Sequence, residues 1–149
     1  EYHGLKVPVL HYTELVAELL EEGKLEIPKE IAKVVTYHDP CFLGKQNDIY
    51  DEPRYIITRI PGVEFKEFDR CRERSLCCEG GGGKMWVESE SKEERLAEIR
   101  IEDAKEMGAQ VVAVACPFCL LTLEDATKVK GVEEEMQVMD ILELLAEAL

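Results

Sequence analysis

Three things are scarce or missing in this chain. No apolar run approaches the roughly 20 residues that a membrane-crossing helix needs. No secretory leader opens it, and Glu1 is not a natural start, so a processed chain or a fragment is expected. Positive charge is short: 18 Lys and Arg stand against 32 Asp and Glu, a formal net charge of −14. Phosphate backbones demand the opposite balance, which excludes nucleic acid as a partner. The acid excess is mostly glutamate along helix-like stretches such as 93–106, the ordinary pattern of solvated helix faces. Glu and Lys richness also fits a thermophile.

What is present is enough for one core: 149 residues, 46% apolar. Six cysteines are many for that length. A secreted disulfide scaffold would be small and loop-rich. This chain is rich in Leu, Val and Glu with helical periodicity, so its thiols are expected to be reduced and the protein cytoplasmic. Clustered reduced thiols point to metal or redox chemistry.

Periodicity gives an order of elements. Tyr12 to Leu20 has helical spacing, with Gly23 as a stop, and residues 23–32 read as a linker. Residues 33–37 (KVVTY) read as a buried strand running into His38-Asp39-Pro40-Cys41. A helix over 52–60 ends at Pro61-Gly62, and residues 63–68 (VEFKEF) alternate as a second strand. The segment 70–83 is a loop ending in four glycines. Ser91 with Glu94 predicts a capping box and a helix from Lys92 to about Met107, with Leu96, Ile99, Ala104 and Met107 facing inward. Residues 110–115 (QVVAVA) form the clearest strand, and Cys116-Pro117 starts a helix to about Lys128. A short strand at 137–139 precedes a helix capped by Asp140 and Glu143. Strands alternating with helices imply a Rossmann-like α/β layer with a mostly parallel sheet, its cysteine-bearing loops at the C-terminal strand ends where ligands gather. A weak repeat is also visible. Residues 9–20 (VLHYTELVAELL) match 138–149 (VMDILELLAEAL) at Val9, Glu14, Leu15, Ala17, Glu18 and Leu20. Residues 1–22 are therefore expected to be a helical lead-in or the tail of a preceding copy of the domain at 33–149.

Five of the cysteines have the spacing C-x35-CC-x37-C-x2-C. Cys116 and Cys119 at a helix start can turn two sulfurs toward one metal, and the helix N-terminus favours thiolate. Cys77 and Cys78 are adjacent and can donate to neighbouring metal atoms if their loop bends. Gly80, Gly81, Gly82 and Gly83 permit that bend and let backbone N–H groups approach a cofactor. Cys41 closes the set from another strand end. Soft thiolates suit an iron–sulfur cluster, and four of the five would also make a tetrahedral zinc site.

The ordered motifs DPC, CC followed by glycines, and CPFC resemble the cysteine-rich (CCG) domain of the heterodisulfide reductase B/D family, over residues 33–149 and as the C-terminal of two copies. The resemblance implies a non-cubane [4Fe-4S] cluster held by Cys41, Cys77, Cys78, Cys116 and Cys119. It implies reductive cleavage of a small thiol heterodisulfide. It also implies partners: an upstream domain or subunit with further iron–sulfur clusters, and a membrane cytochrome or flavin subunit that would bring the protein to a membrane. Related domains serve hydroxyacid and acyl-CoA oxidoreductase complexes as electron-transfer subunits, a second reading that the run GGGGKMW also fits. A zinc-stabilised non-enzymatic domain is the third. Glu79 departs from the family's usual glycine and is expected to add negative charge beside the cluster. Cys71 has no place in the motif.

Other features carry less. The segment 111–120 (VVAVACPFCL) is similar to a thioredoxin active site, but that fold has its motif early and a proline later, and no proline follows Pro117. Gly80 to Lys84 lacks the spacing of a phosphate loop, because Met85 follows the lysine. His38 is a candidate proton donor to a leaving thiolate, against an ordinary structural histidine. Lys84 and Arg72 are candidates to attract an anionic substrate, against plain surface charge. Met85 and Trp86 are expected to pack under the glycine loop.

Overall fold

In the computed structural model, residue 4 and residues 7–82, 84–86 and 94–149 are described. The elements are α1 (Tyr12–Glu21), β1 (Val34–Tyr37), α2 (Gly44–Asn47), α3 (Asp51–Arg59), β2 (Glu64–Phe65), α4 (Leu96–Glu106), β3 (Val111–Val114), α5 (Pro117–Lys130), β4 (Gln137–Asp140) and α6 (Ile141–Ala148). Two 3₁₀ turns lie at Arg72–Arg74 and Lys84–Trp86. The four strands form one sheet in the order β2-β1-β3-β4, parallel throughout. This is the α/β layer that the alternation of strands and helices implies.

Strand pleating sorts β3 residues to the two faces. Val111, Ala113 and Ala115 join one core with Val35, Tyr37, Ile56, Ile57, Ile141 and Leu144. Val112 and Val114 join the other with Ile101, Leu123, Ala126, Cys78 and Cys119. Helices α1, α3 and α6 therefore cover one face, and α4 and α5 the other. All four residues of β3 are buried, as expected of a central parallel strand.

The matching segments at the two ends of the chain become α1 and α6. Each begins with a capping box, His11 with Glu14 and Asp140 with Glu143. Both lie on the same sheet face, and the Tyr12 hydroxyl donates to the Asp140 carboxylate at 3.0 Å.

Three elements differ from the sequence reading. The second strand shrinks to Glu64–Phe65, the two residues that pair with Val34 and Val35, and the Lys66 N–H ends the contact on the Val35 carbonyl at 2.9 Å. Helix α4 buries Ala97, Arg100, Ile101 and Ala104, so of the four residues expected inward only Ala104 is fully so. The small residues face the sheet, and the long Arg100 fills the space beside Phe68, its guanidinium carbon 4.0 Å from the ring centroid. Trp86 is 79% exposed rather than packed under the glycines. The expectations for Gly83, the Met85 side chain, Ser91 and Lys92 fall outside the described residues.

Candidate metal centre

The chain leaves β1 toward β2 and leaves β3 toward β4 on the opposite side. These neighbouring strands thus end at a point where the strand order reverses, which opens a crevice beyond their carboxyl ends. His38 sits there. Its N–H donates to the Ala113 carbonyl at 2.9 Å, which extends the β1–β3 pairing by one residue and holds the ring inside, 1% exposed. From β3, Cys116 is the N-cap of α5 and Pro117 occupies the first turn, where its missing N–H costs nothing. Cys119 is then the third helical residue and points into the core.

Three thiols meet at this corner. Cys78 Sγ and Cys119 Sγ are 3.2 Å apart. A ring nitrogen of His38 and these two sulfurs all lie within 4.8 Å of one another, and all three residues are buried. Cys116, half-buried, stands at the start of the same helical turn as Cys119. The neighbouring Cys116 and Cys78 sulfurs, with burial added, push the Cys119 pKa far up. The Cys78 thiol is pulled down to about 3, first by Cys119, against the opposing effect of burial, and then by His38 and the Gly80 N–H. The Cys116 thiol falls to about 6, again first through Cys119, against burial, with help from the backbone N–H groups of Cys119 and Phe118 at the helix start.

The CC loop reaches this corner because two residues beyond it take special positions. Glu79 has φ 64°, the left-handed region that glycine occupies without cost. Gly80 passes so close to the first turn of α5 that a Cβ would stand 2.8 Å from the Phe118 carbonyl oxygen. Its N–H faces Cys78 Sγ at 3.4 Å. Gly80 therefore seats the CC loop against the CPFC turn. Gly81 and Gly82 have open space around them, and Gly82 has φ 63°.

The Glu79 carboxylate does not face the thiols as an unpaired charge. It accepts the Leu96 N–H at 2.9 Å, capping α4, and is paired with Lys84. The expected extra negative charge is thereby offset. Lys84 is held in this pair and Arg72 in one with Asp51 at 2.5 Å.

The remaining cysteines are less enclosed than Cys78 and Cys119. Cys41 and Cys77 are exposed. Cys41 stands on the turn after β1, and Cys77 Sγ accepts the Glu79 N–H at 3.3 Å. Cys71 is half-buried against the second core, and burial is the first cause that pushes its pKa up.

One group of residues went unnoticed in the sequence. Arg54, on α3, is buried and forks onto Asp39, Nη1 to Oδ1 at 2.7 Å and Nη2 to Oδ2 at 2.9 Å. It also donates to Glu67 at 2.6 Å and to the Tyr50 carbonyl at 2.8 Å. Burial works against its charge, but the bonds to Asp39 and Glu67 more than offset this and raise its pKa. Asp39 Oδ2 further accepts the Arg72 N–H at 2.8 Å. The sole sequence signal was Asp39 within DPC; nothing marked its partner.

Soft sulfur and imidazole donors in one corner fit an iron–sulfur cluster or zinc by their chemistry. A further sign is His38 Nδ1, buried with no hydrogen-bond partner among the described residues.

The model of the cysteine-rich domain, CCG, matches residues 35–124. The chain belongs to this family. It is 41% identical over 145 residues to the probable iron-sulfur-binding oxidoreductase FadF of Bacillus subtilis, covering 97% of this chain and 20% of that protein. Against one of the polypeptides of the dihydromethanophenazine:CoB–CoM heterodisulfide reductase of Methanosarcina barkeri it is 40% identical over 148 residues, 98% of this chain and 36% of the relative. The EtfAB:quinone oxidoreductase of Syntrophomonas wolfei is 36% identical over 152 residues, 98% of this chain and 21% of that protein. The chain thus spans about a fifth to a third of the length of these curated relatives. The segments Asp39–Cys41, Cys77–Gly80 and Cys116–Cys119 all fall within the matched range.

Proposed function

We propose that this cysteine-rich domain is an iron–sulfur oxidoreductase domain that reduces a thiol heterodisulfide at a non-cubane [4Fe-4S] cluster. The observation that carries the reading is the convergence of Cys78, Cys116 and Cys119 where the strand order reverses. In this reading those three cysteines form the floor of the site, and Cys41 and Cys77 complete it from the exposed rim. When bound, the cluster would supply single electrons to a substrate sulfur. The chain's own residues bind and exclude water. Gly80 holds the CC loop on α5, burial keeps Cys78 and Cys119 dry, and His38 is placed to hold or give a proton beside the sulfurs. Electrons would come from iron–sulfur clusters on an upstream domain or partner subunit. A flavin or cytochrome subunit would bring the protein, otherwise cytoplasmic in this reading, to a membrane. No helix among the described residues is long and apolar enough to cross one.

Anaerobic iron and sulfide content, with low-temperature paramagnetic spectroscopy, tests the cluster. Unchanged iron in both Cys77→Ser and Cys119→Ser would sink the ligand assignment. A reduced viologen dye with a heterodisulfide tests the reaction. Iron present without turnover would favour the second reading, an electron-transfer subunit of a hydroxyacid or acyl-CoA oxidoreductase complex. That reading draws on the FadF and EtfAB:quinone oxidoreductase relatives. A zinc-stabilised domain is favoured by one observation, the compact His38–Cys78–Cys119 group. Zinc without iron in anaerobically purified protein would select it.

A further inference from the structure

Cys41 and Cys77 are both exposed and come from segments far apart in the chain, yet the backbone just before each is fixed to the same anchor. Two residues before Cys41, Asp39 has both carboxylate oxygens on the buried Arg54 fork. Two residues before Cys77, Ser75 is buried and its hydroxyl reaches the Asp39 carbonyl at 3.4 Å. The Ser75 carbonyl accepts Lys45 Nζ, from the helix just after Cys41, at 2.9 Å. Between them Arg72, with φ 52°, gives its N–H to Asp39 Oδ2. A non-glycine residue in that region is held by its surroundings, and here the surroundings are Asp39.

We propose that Arg54 is a positioning residue, a clamp that sets Cys41 and Cys77 side by side as the rim of the thiol site. This deepens the iron–sulfur reading and rests on it for what the rim is for, but the anchoring of the two segments to Asp39 involves no metal. Three charged partners from separate elements face one another here: Arg54 from α3, Asp39 after β1 and Glu67 after β2. A lysine has one ammonium and cannot reproduce the fork, which bridges both carboxylates. Loss of the fork leaves the Asp39 carboxylate unpinned, and with it the Arg72 N–H that it holds on the segment leading to Cys77. The floor does not depend on it, because Cys78, Cys116 and Cys119 are held by each other, by Gly80 and by α5.

The test uses the metal-free chain in a Cys71→Ser background. A short bis-alkylating thiol reagent such as dibromobimane is added, and bridged peptides are mapped by mass spectrometry. Cys41–Cys77 bridging is expected in the parent, falling at least several-fold in Arg54→Met and in Arg54→Lys, with Cys78–Cys119 bridging unchanged. Leu145→Ala is the control. It opens the core on α6, whose last turn accepts the Lys29 N–H at the end of the sheet away from the cysteines. If Leu145→Ala lowers Tm as much as Arg54→Met but keeps the Cys41–Cys77 bridge, the clamp is supported. If the bridge is absent in the parent, or survives in Arg54→Met, the clamp is overturned. Iron reconstitution is a separate arm. A parent that bridges but takes up no iron and sulfide overturns the cluster reading and leaves the clamp standing.

Discussion

The buried and exposed thiols of this domain are held by different physics. Cys78, Cys116 and Cys119 share one hydrogen-bonded corner between a helix start and a glycine-seated loop. Cys41 and Cys77 project from loops whose rigidity is supplied from behind by Asp39, Arg54 and Ser75. The floor is therefore set by side-chain contact, the rim by backbone anchoring. Damage to the floor should act on chemistry and packing together, whereas damage to the rim should act through distance.

The largest effect is expected from Cys119→Ser. It removes the buried thiol bonded to Cys78, and bound iron after anaerobic reconstitution should drop to background. Cys41→Ser should keep part of its metal, so equal losses in both variants would erase the floor–rim distinction. Next, Arg54→Met leaves Asp39 buried without its cation. Breaking a buried pair in this way costs about 3–5 kcal/mol, which a shift in denaturant midpoint would report. Gly80→Ala presses a methyl toward the Phe118 carbonyl and should cost about 1–3 kcal/mol by the same measurement. Gly81→Ala, with open space, should not.

The acid–base difference gives a fourth test. Alkylation of Cys116 by iodoacetamide should rise with pH through a midpoint of about 6, since only the thiolate reacts. Removing its main support in Cys119→Ala should move that midpoint up toward the ordinary thiol range of about 8.5. An unmoved midpoint would assign the shift to the α5 N–H groups instead. The smallest effect is expected at Glu79. Glu79→Gly relieves a left-handed residue, worth about 1 kcal/mol, and forfeits the α4 cap, worth about as much. Its denaturant midpoint should stay close to that of the parent.

The sequence was legible wherever one signal sufficed. The β3 run, the CPFC turn with Pro117 and the Asp140–Glu143 box each specify local structure, and each lies where expected. The chain order of strands and helices implied the parallel layer and brought Cys41 and Cys116 to the same end of it. What could not be read depended on partners. Arg54 looks like any helix-surface arginine until β1 and β2 bring Asp39 and Glu67 beneath it. Glu79 looked like a charge beside the thiols, and only the placement of Leu96 and Lys84 turns it into a helix cap. Helix α2 is four residues long and has no periodicity to find. Trp86 was expected inside because large apolar rings usually are, but a single ring on a loop is free to remain in water.

The pairing of His38 with Ala113 also bears on how the protein is made. It belongs to a parallel ladder between stretches of chain separated by a whole strand, three helices and a long loop. Contacts of that range form slowly, because chain entropy is lost before they repay it. Until that ladder closes, the corner does not exist and six thiols stand free on an unfinished chain. Synthesis of this domain is thus a race between folding and oxidation of those thiols.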